Sequence, residues 1–137
     1  MIDAATHALL GEQVARLREL APQLGITDIR HDGLVVLVSF RRRRDGKVFA
    51  LRFRCDGWPV VPPSAHFVDE TTGEDRGPEV WPTDGEQALK TTAQPRFICL
   101  PGTREYHERH GPIQPNIHSN ALSSILQQVQ QCIEARG

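Results

Sequence analysis

Residues 34–55 read LVVLVSFRRRRDGKVFALRFRC, in which two apolar runs flank a charged turn. The first run, residues 34–40, is rich in the β-branched residues that favour strands. The second run alternates Phe49, Leu51, Phe53 and Cys55 with Ala50, Arg52 and Arg54. A period of two is typical of a strand that buries one face, and Asp45-Gly46 between the runs is a strong hairpin signal. The stretch therefore predicts an antiparallel hairpin.

Four consecutive arginines, residues 41–44, precede the Asp-Gly turn. Charged hairpin tips are common and keep sheet edges from aggregating, so we interpret the run as a solvated tip. A docking patch for a partner is the alternative interpretation.

A helix is predicted over residues 3–24, ahead of the hairpin, because apolar residues recur on one of its faces. That face carries Leu10, Val14, Leu17 and Leu24. Gly25 supplies a C-terminal stop. Ile26 and Ile29 then predict a short first strand that ends at the turn of residues 31–33.

The chain leaves the hairpin through Pro62-Pro63, which cannot continue a central strand. A fourth short strand is predicted at residues 65–68. One helix followed by a four-stranded antiparallel meander is an α+β pattern in which the helix packs on one sheet face.

The second half of the chain is predicted to be less regular. Residues 69–96 are rich in Gly, Pro and Thr and predict a long loop, which in a small domain is usually functional. Residues 97–100 form a short apolar segment, and residues 101–118 predict a second irregular stretch. Ser119 is a good N-cap for a C-terminal helix whose apolar face runs from Leu122 to Ile133.

Length and composition predict one domain over residues 1–137. Sixteen basic and 17 acidic residues give a net charge of −1, which argues against nucleic-acid binding. The longest aliphatic run, Leu34 to Val38, is too short for a membrane span. The sequence also lacks a secretory signal, and three cysteines are too few for a disulfide framework. We therefore expect a cytoplasmic protein.

The candidate catalytic or metal-binding residues are Cys99, Glu105, His107 and His110. A cysteine near imidazoles suits nucleophilic catalysis, because an imidazolium lowers the pKa of the thiol. One Cys, two His and one Glu also form a possible tetrahedral zinc set. A third interpretation is that the histidines only hydrogen-bond to loop carbonyls. Spacing alone leaves all three open.

The other cysteines, one histidine and the tryptophans favour structural roles. Cys55 and Cys132 lie on apolar faces and are predicted to be core residues. His66 is predicted to be a satisfied structural histidine. Trp58 and Trp81 stand next to prolines and are predicted to be packing anchors.

Two motifs in this order of elements resemble a known family. Trp58-Pro59-Val60-Val61-Pro62-Pro63 is similar to the Tyr-Pro-x-x-Pro-Pro signature of ubiquitin-conjugating enzymes, and Phe97-Ile98-Cys99-Leu100 is similar to their Ile-Cys-Leu active-site segment. The helix from Leu122 would be the one that follows the cysteine. The resemblance covers nearly the whole chain and implies the ubiquitin-conjugating (UBC) fold.

A bacterial group described as a predicted metal-binding domain with Cys, Glu, His and His resembles the chain more closely. Its residues match Cys99, Glu105, His107 and His110 in order. Operons with this domain carry ubiquitin-like proteins, activating enzymes and deubiquitinase-like peptidases. The resemblance implies ubiquitin-like conjugation of the kind linked to antiphage defence.

The implied activity is that of a cysteine acyl transferase. Cys99 would accept a ubiquitin-like protein from an activating enzyme as a thioester and pass it to an amine of a protein target, with no cofactor. Glu105, His107 and His110 would orient groups, deprotonate them or stabilise charge. The alternative is a non-catalytic zinc-binding module built from the same four residues. A third possibility is a binding module that has lost its chemistry.

One feature of the conjugating enzymes is missing. They carry a His-Pro-Asn segment ahead of the cysteine, whose Asn is thought to steady the oxyanion, but residues 64–98 contain no Asn. The nearest are Asn116 and Asn120. We expect the segment with His107 and His110 to fold back over Cys99 and take part of that role.

Overall fold

The computed structural model describes residues 4–58, 60–82, 89–90, 96–110 and 121–135. The first half comprises α1 (Ala4–Leu24), β1 (Ile26–Asp32), β2 (Val35–Arg41), β3 (Val48–Arg54) and β4 (Ser64–Val68). The second half comprises a 3₁₀ turn (Pro78–Val80), β5 (Leu89–Lys90), β6 (Phe97–Ile98), α2 (Arg104–His110) and α3 (Leu122–Ala135). The predicted α+β class and element order are confirmed.

The main sheet is an antiparallel meander in the order β1-β2-β3-β4. Leu51 at its centre pairs with Val38 of β2 and Phe67 of β4. The strand predicted at Ile26 and Ile29 is present, and it extends to Asp32 where the turn begins. Gly25 ends α1 with a φ of +66°, as expected of a glycine at a helix terminus.

The β2–β3 hairpin closes around Asp45 and Gly46, where Gly46 has a φ of +75°. The expectation of a solvated tip is wrong for Arg42, which is only 7 % exposed. Its guanidinium donates to both carboxylate oxygens of Asp45, at 2.9 and 2.6 Å, and lies 5.2 Å from the ring centre of Phe49. The turn's own carboxylate neutralises the arginine, so it can lie inside while its neighbours stay exposed.

The core lies between the inner face of the sheet and the helices α1 and α3. It combines Leu10, Val14 and Leu17 of α1 with Val38, Phe40, Leu51, Phe53 and Phe67 of the sheet and Leu122, Ile125, Leu126 and Val129 of α3. Cys55, Trp58 and Trp81 are buried in this cluster, and Cys132 packs against it, so their predicted structural roles are confirmed. No helix in the described part of the chain is long and apolar enough to cross a membrane.

Two expectations of irregular structure are corrected. Residues 69–96 include the 3₁₀ turn and β5, and β5 pairs with β6, with Leu89 opposite Ile98. Residues 101–118 include the helix α2. Thr103 caps this helix, since its Oγ1 accepts from the amide of Tyr106 at 3.3 Å. A cap of this kind satisfies an amide that the short helix leaves open.

Candidate functional site

Cys99 lies directly after β6, on the side of the core where β6 packs against β4. Ile98 and Leu100 on either side of it are buried, at 0 % and 7 % exposed, while Cys99 itself is partly exposed. All three cysteines of the chain are thiols. The flanking apolar residues therefore fix the backbone of Cys99 in the core and leave its side chain near the surface.

The hydroxyl of Thr103 hydrogen-bonds to the backbone on both sides of Cys99. It lies 3.2 Å from the carbonyl oxygen of Ile98 and 2.8 Å from that of Leu100. The amide of Thr103 also donates to the Leu100 carbonyl at 3.0 Å. Thr103 is fully buried, so these bonds are shielded from competing water. The carbonyl groups of the residues before and after Cys99 are thus held by one residue.

Arg104 ties this segment to the proline turn. Its amide donates to the Pro63 carbonyl at 2.9 Å, and its Nε donates to the Pro62 carbonyl at 3.2 Å. Its guanidinium also donates to the backbone and side-chain oxygens of Asp56, at 3.1 and 3.0 Å. The hydrogen bond from Arg104 lowers the pKa of Asp56. Hydrogen bonds from Arg104 therefore join the proline turn to the start of α2, a few residues after Cys99.

His107 lies beside the turn that follows Cys99. The amide of Gly102 donates to its Nε2 at 3.1 Å. Because an amide can only donate, Nε2 must carry the lone pair, and in the neutral ring the proton sits on Nδ1. The Tyr106 ring stands edge-on to the imidazole at 4.9 Å. The hydrogen bond from Gly102 thus fixes the orientation of the imidazole ring.

Glu105 is bound to the main sheet. The hydroxyl of Ser64, the first residue of β4, donates to its Oε2 at 2.5 Å. Its Oε1 is buried and has no hydrogen-bond partner among the described residues. This carboxylate therefore fixes α2 against β4, and one of its oxygens retains an unused acceptor capacity.

Three residues of this site carry no role in the sequence predictions. Thr103 and Arg104 hold the segment as described above, and Arg109 stacks its guanidinium 3.9 Å from the ring centre of Phe97. The sequence signal for Thr103 was its suitability as an N-cap after Pro101-Gly102. Arg104 and Arg109 act across the fold, and nothing in the local sequence distinguishes them from other surface arginines.

The predicted zinc set of Cys99, Glu105, His107 and His110 is only partly covered by the described residues. Oε2 of Glu105 and Nε2 of His107 each accept a hydrogen bond from a protein group. No group of three metal-ligating side chains forms in the described ranges. The side chain of His110 lies outside the described residues, as do His118, Asn116 and Asn120.

The remaining site candidates have structural partners. Nε2 of His66 hydrogen-bonds to Asp75 at 2.8 Å, and its ring stands edge-on to Trp81, so the prediction of a satisfied histidine is confirmed. Burial raises the pKa of the Cys55 thiol to about 12, which leaves it unreactive at neutral pH. Of the cysteines, Cys99 alone combines partial exposure with a loop position. No protein-family model matches the chain, and a search of curated proteins returned no match.

Proposed function

We propose that the protein is a bacterial ubiquitin-conjugating-enzyme-like acyl carrier that acts through Cys99. It takes a ubiquitin-like protein from an activating enzyme in the cytoplasm and transfers it to an amine of a protein target, in a system of antiphage defence. The resemblance of the two motifs and the α+β element order support this proposal. One fold can host many functions, and the geometry around Cys99 is the more specific support.

The observation that carries the proposal is the linkage between Cys99 and the proline turn. The thiol is partly exposed, while its neighbouring carbonyls are held by Thr103. Arg104, the next residue, is bonded to Pro62 and Pro63. A nucleophile that is fixed before its substrate arrives loses less freedom in the transition state. A cysteine with only a packing role does not need such an arrangement.

The reaction consists of two acyl transfers. First, the Cys99 thiolate attacks the thioester carbonyl that joins the ubiquitin-like C-terminus to the activating enzyme. The new C–S bond forms, the old one breaks, and the released thiolate of the activating enzyme takes up a proton. A target lysine amine then attacks the new thioester. A C–N bond replaces the C–S bond, the amine loses a proton, and Cys99 returns as a thiol.

The neighbouring residues have different parts in this proposal. His107 accepts from the Gly102 amide, which holds its ring beside the turn that follows Cys99, and we assign it to stabilisation of the oxyanion. Glu105 is a positioning residue, because its contact is with Ser64 of the sheet. His110 keeps its predicted role as a second basic group at the site.

A charging assay tests the proposal. The protein is mixed with the activating enzyme and ubiquitin-like protein of a bacterial conjugation operon and ATP, and the adduct is followed on gels with and without reducing thiol. We expect a thiol-sensitive adduct with wild-type protein and none with Cys99→Ala. Cys99→Ser should give an oxyester that resists thiol but is cleaved by hydroxylamine.

Cys132→Ser is the matched control, since Cys132 is also partly buried but lies on α3. It should charge like the wild type. An adduct that survives Cys99→Ala and disappears with Cys132→Ser would contradict the assignment. Stoichiometric zinc that is lost, together with stability, in His107→Ala and His110→Ala would favour the alternative of a zinc-binding module.

A further inference from the structure

We propose that the outer face of the sheet binds a phosphate group, either as the free dianion or as a monoester of a small molecule. The site, which we call the arginine cleft, is formed by Arg30, Arg52 and Arg54, by Val35 and Leu37, and by the turn of residues 72–74. Its volume is about 380 Å³. That is within the range of small-molecule sites. The cleft is independent of the proposed chemistry at Cys99.

The strand register brings the arginines together. Leu37 of β2 pairs with Arg30 on one side and with Arg52 on the other, so these three side chains form a row across the sheet. Val35 pairs with Arg54 in the next row. All five positions lie on the face opposite the core, because residues two apart on a strand share a face. The alternation that buries Phe53 thus places Arg52 and Arg54 side by side.

Arg52 is the central cation of the cleft and is poorly compensated. Its side chain is 16 % exposed, and its ion pair with Glu74 is long, at 3.9 Å, to a carboxylate that is 75 % exposed. Its Nε is buried without a hydrogen-bond partner among the described residues. One of its terminal nitrogens donates to the Gly73 carbonyl at 2.9 Å. A buried donor without an acceptor is costly, and an anion in the cleft would supply one.

The contrast with Arg42 shows what is missing. Arg42 is also buried and also has one nitrogen without a partner among the described residues, but Asp45 accepts from it twice and raises its pKa. Burial and the neighbouring charge of Arg54 lower the pKa of Arg52 instead. Arg42 has a counter-ion in direct contact, whereas Arg52 has a long ion pair with the solvated Glu74 and a charge interaction with Asp75. A phosphate oxygen between Arg52 and Arg54 would offset the desolvation of Arg52 and its repulsion by Arg54.

The rest of the cleft is consistent with a small phosphorylated ligand. Leu37 is nearly buried and Val35 is 36 % exposed, so they offer an apolar floor beside the cations. Arg30 is anchored by Asp28 at 3.2 Å and by the Glu70 carbonyl. Asp32 also lines the cleft and is exposed, which suits hydrogen bonds from hydroxyls of the ligand. Three guanidiniums and the carboxylates of Asp32 and Glu74 line the cleft, while Asp28 pairs with Arg30 at its edge.

Calorimetry with inorganic phosphate, AMP and adenosine tests the proposal on the full chain. We expect binding of AMP or phosphate at millimolar concentration or below, and no binding of adenosine. Stronger binding of AMP than of phosphate identifies a monoester, and equal binding identifies the free dianion. Arg52→Met and Arg54→Met should each weaken binding about tenfold or more. Arg44→Met removes the same charge from the exposed hairpin tip and should leave affinity unchanged.

Because Arg52 also holds the turn at Gly73, Arg52→Met could destabilise the fold. The side chain of Arg54 is exposed, so Arg54→Met should fold normally and still test the proposal. Circular dichroism checks the folding of each variant. The proposal is overturned if neither phosphate nor AMP binds, if Arg54→Met binds as the wild type does, or if Arg44→Met weakens binding equally. The last result would identify non-specific attraction to arginines.

Discussion

Cys55 and Cys99 occupy similar places in the sequence and different places in the molecule. Each follows a strand and precedes a turn that contains glycine, Asp56-Gly57 in one case and Pro101-Gly102 in the other. Cys55 is fully buried, and its amide donates to the Leu34 carbonyl as a continuation of the hairpin. Cys99 is partly exposed, and its neighbours are held by side chains of the following helix.

The difference shows that the local sequence at a strand end does not decide whether a cysteine is accessible; its packing in the fold does. Cys55 belongs to the buried core cluster, and burial raises the pKa of its thiol from 9.0 to about 12. Cys99 lies at the end of a two-residue strand at the margin of the core. Its environment is set by Thr103 and Arg104. Four measurements sharpen this comparison.

The largest expected difference is in alkylation. At pH 8, a rise in pKa of three units reduces the thiolate fraction about 1,000-fold, and burial adds a barrier to access. With limiting iodoacetamide, native Cys99 should react at least about 100-fold faster than Cys55. Mass spectrometry of peptides measures both rates, and in denaturant the two should become similar. Equal rates in the native protein would contradict the comparison.

The second measurement concerns the hydrogen bonds of Thr103 to the residues on either side of Cys99, which we call the Thr103 clamp. Thr103→Val keeps the shape but removes the hydroxyl that bonds to Ile98 and Leu100 and caps α2. We expect a loss of about 1–2 kcal/mol in the free energy of unfolding and a drop of about tenfold in the charging rate. Thr103→Ser retains the hydroxyl and is the control. If both variants charge like the wild type, the Thr103 clamp does not position the thiol.

The third measurement uses the pKa of Cys55. Because the folded thiol has the higher pKa, its contribution to stability is complete below pH 9 and is lost as the pH rises from 9 toward 12. At pH 10 the wild type should have lost about 1.4 kcal/mol more than Cys55→Ala has lost, relative to pH 8. Denaturant unfolding at the two pH values gives both differences. A parallel decline in the two proteins would mean that Cys55 ionises normally when folded.

The smallest effect is expected at the ion pair between Arg104 and Asp56. The Asp56 side chain is 66 % exposed, so water screens the interaction. Asp56→Asn should cost less than about 1 kcal/mol near pH 7. Since the pKa of Asp56 is lowered in the folded state, even this small difference should vanish as the pH falls through that pKa. A larger cost would show that the pair, rather than the backbone bonds of Arg104, holds the proline turn.

The elements that the sequence predicts are those whose signals are local. The alternation from Phe49 to Cys55 and the Asp45-Gly46 turn define the central hairpin, and the apolar face from Leu122 defines α3. The two-residue strands β5 and β6 are too short to show a period, and their pairing depends on contacts distant in sequence. The helix α2 has seven residues after a Pro-Gly break, which reads as a loop.

Within the candidate site, too, only the features with local sequence signals could be predicted. Cys99 could be selected because its neighbours are apolar and a turn follows, and its reactivity stays a prediction. The outward-facing arginines of β3, Arg52 and Arg54, could be placed on one face from the alternation. The surroundings of Arg52 depend on the turn at Gly73, which the alternation does not predict. The burial of Arg42 could not be predicted, because it depends on a side-chain bond to Asp45.

The most direct test of the central claim is intact-mass spectrometry of the charging reaction. Native and denatured spectra are recorded side by side after the protein is mixed with activating enzyme, ubiquitin-like protein and ATP. We predict a single addition of the ubiquitin-like protein minus one water, located at Cys99 and removed by reducing thiol. A protein that gains no adduct, and whose native mass is heavier by one zinc ion, would contradict acyl carriage at Cys99.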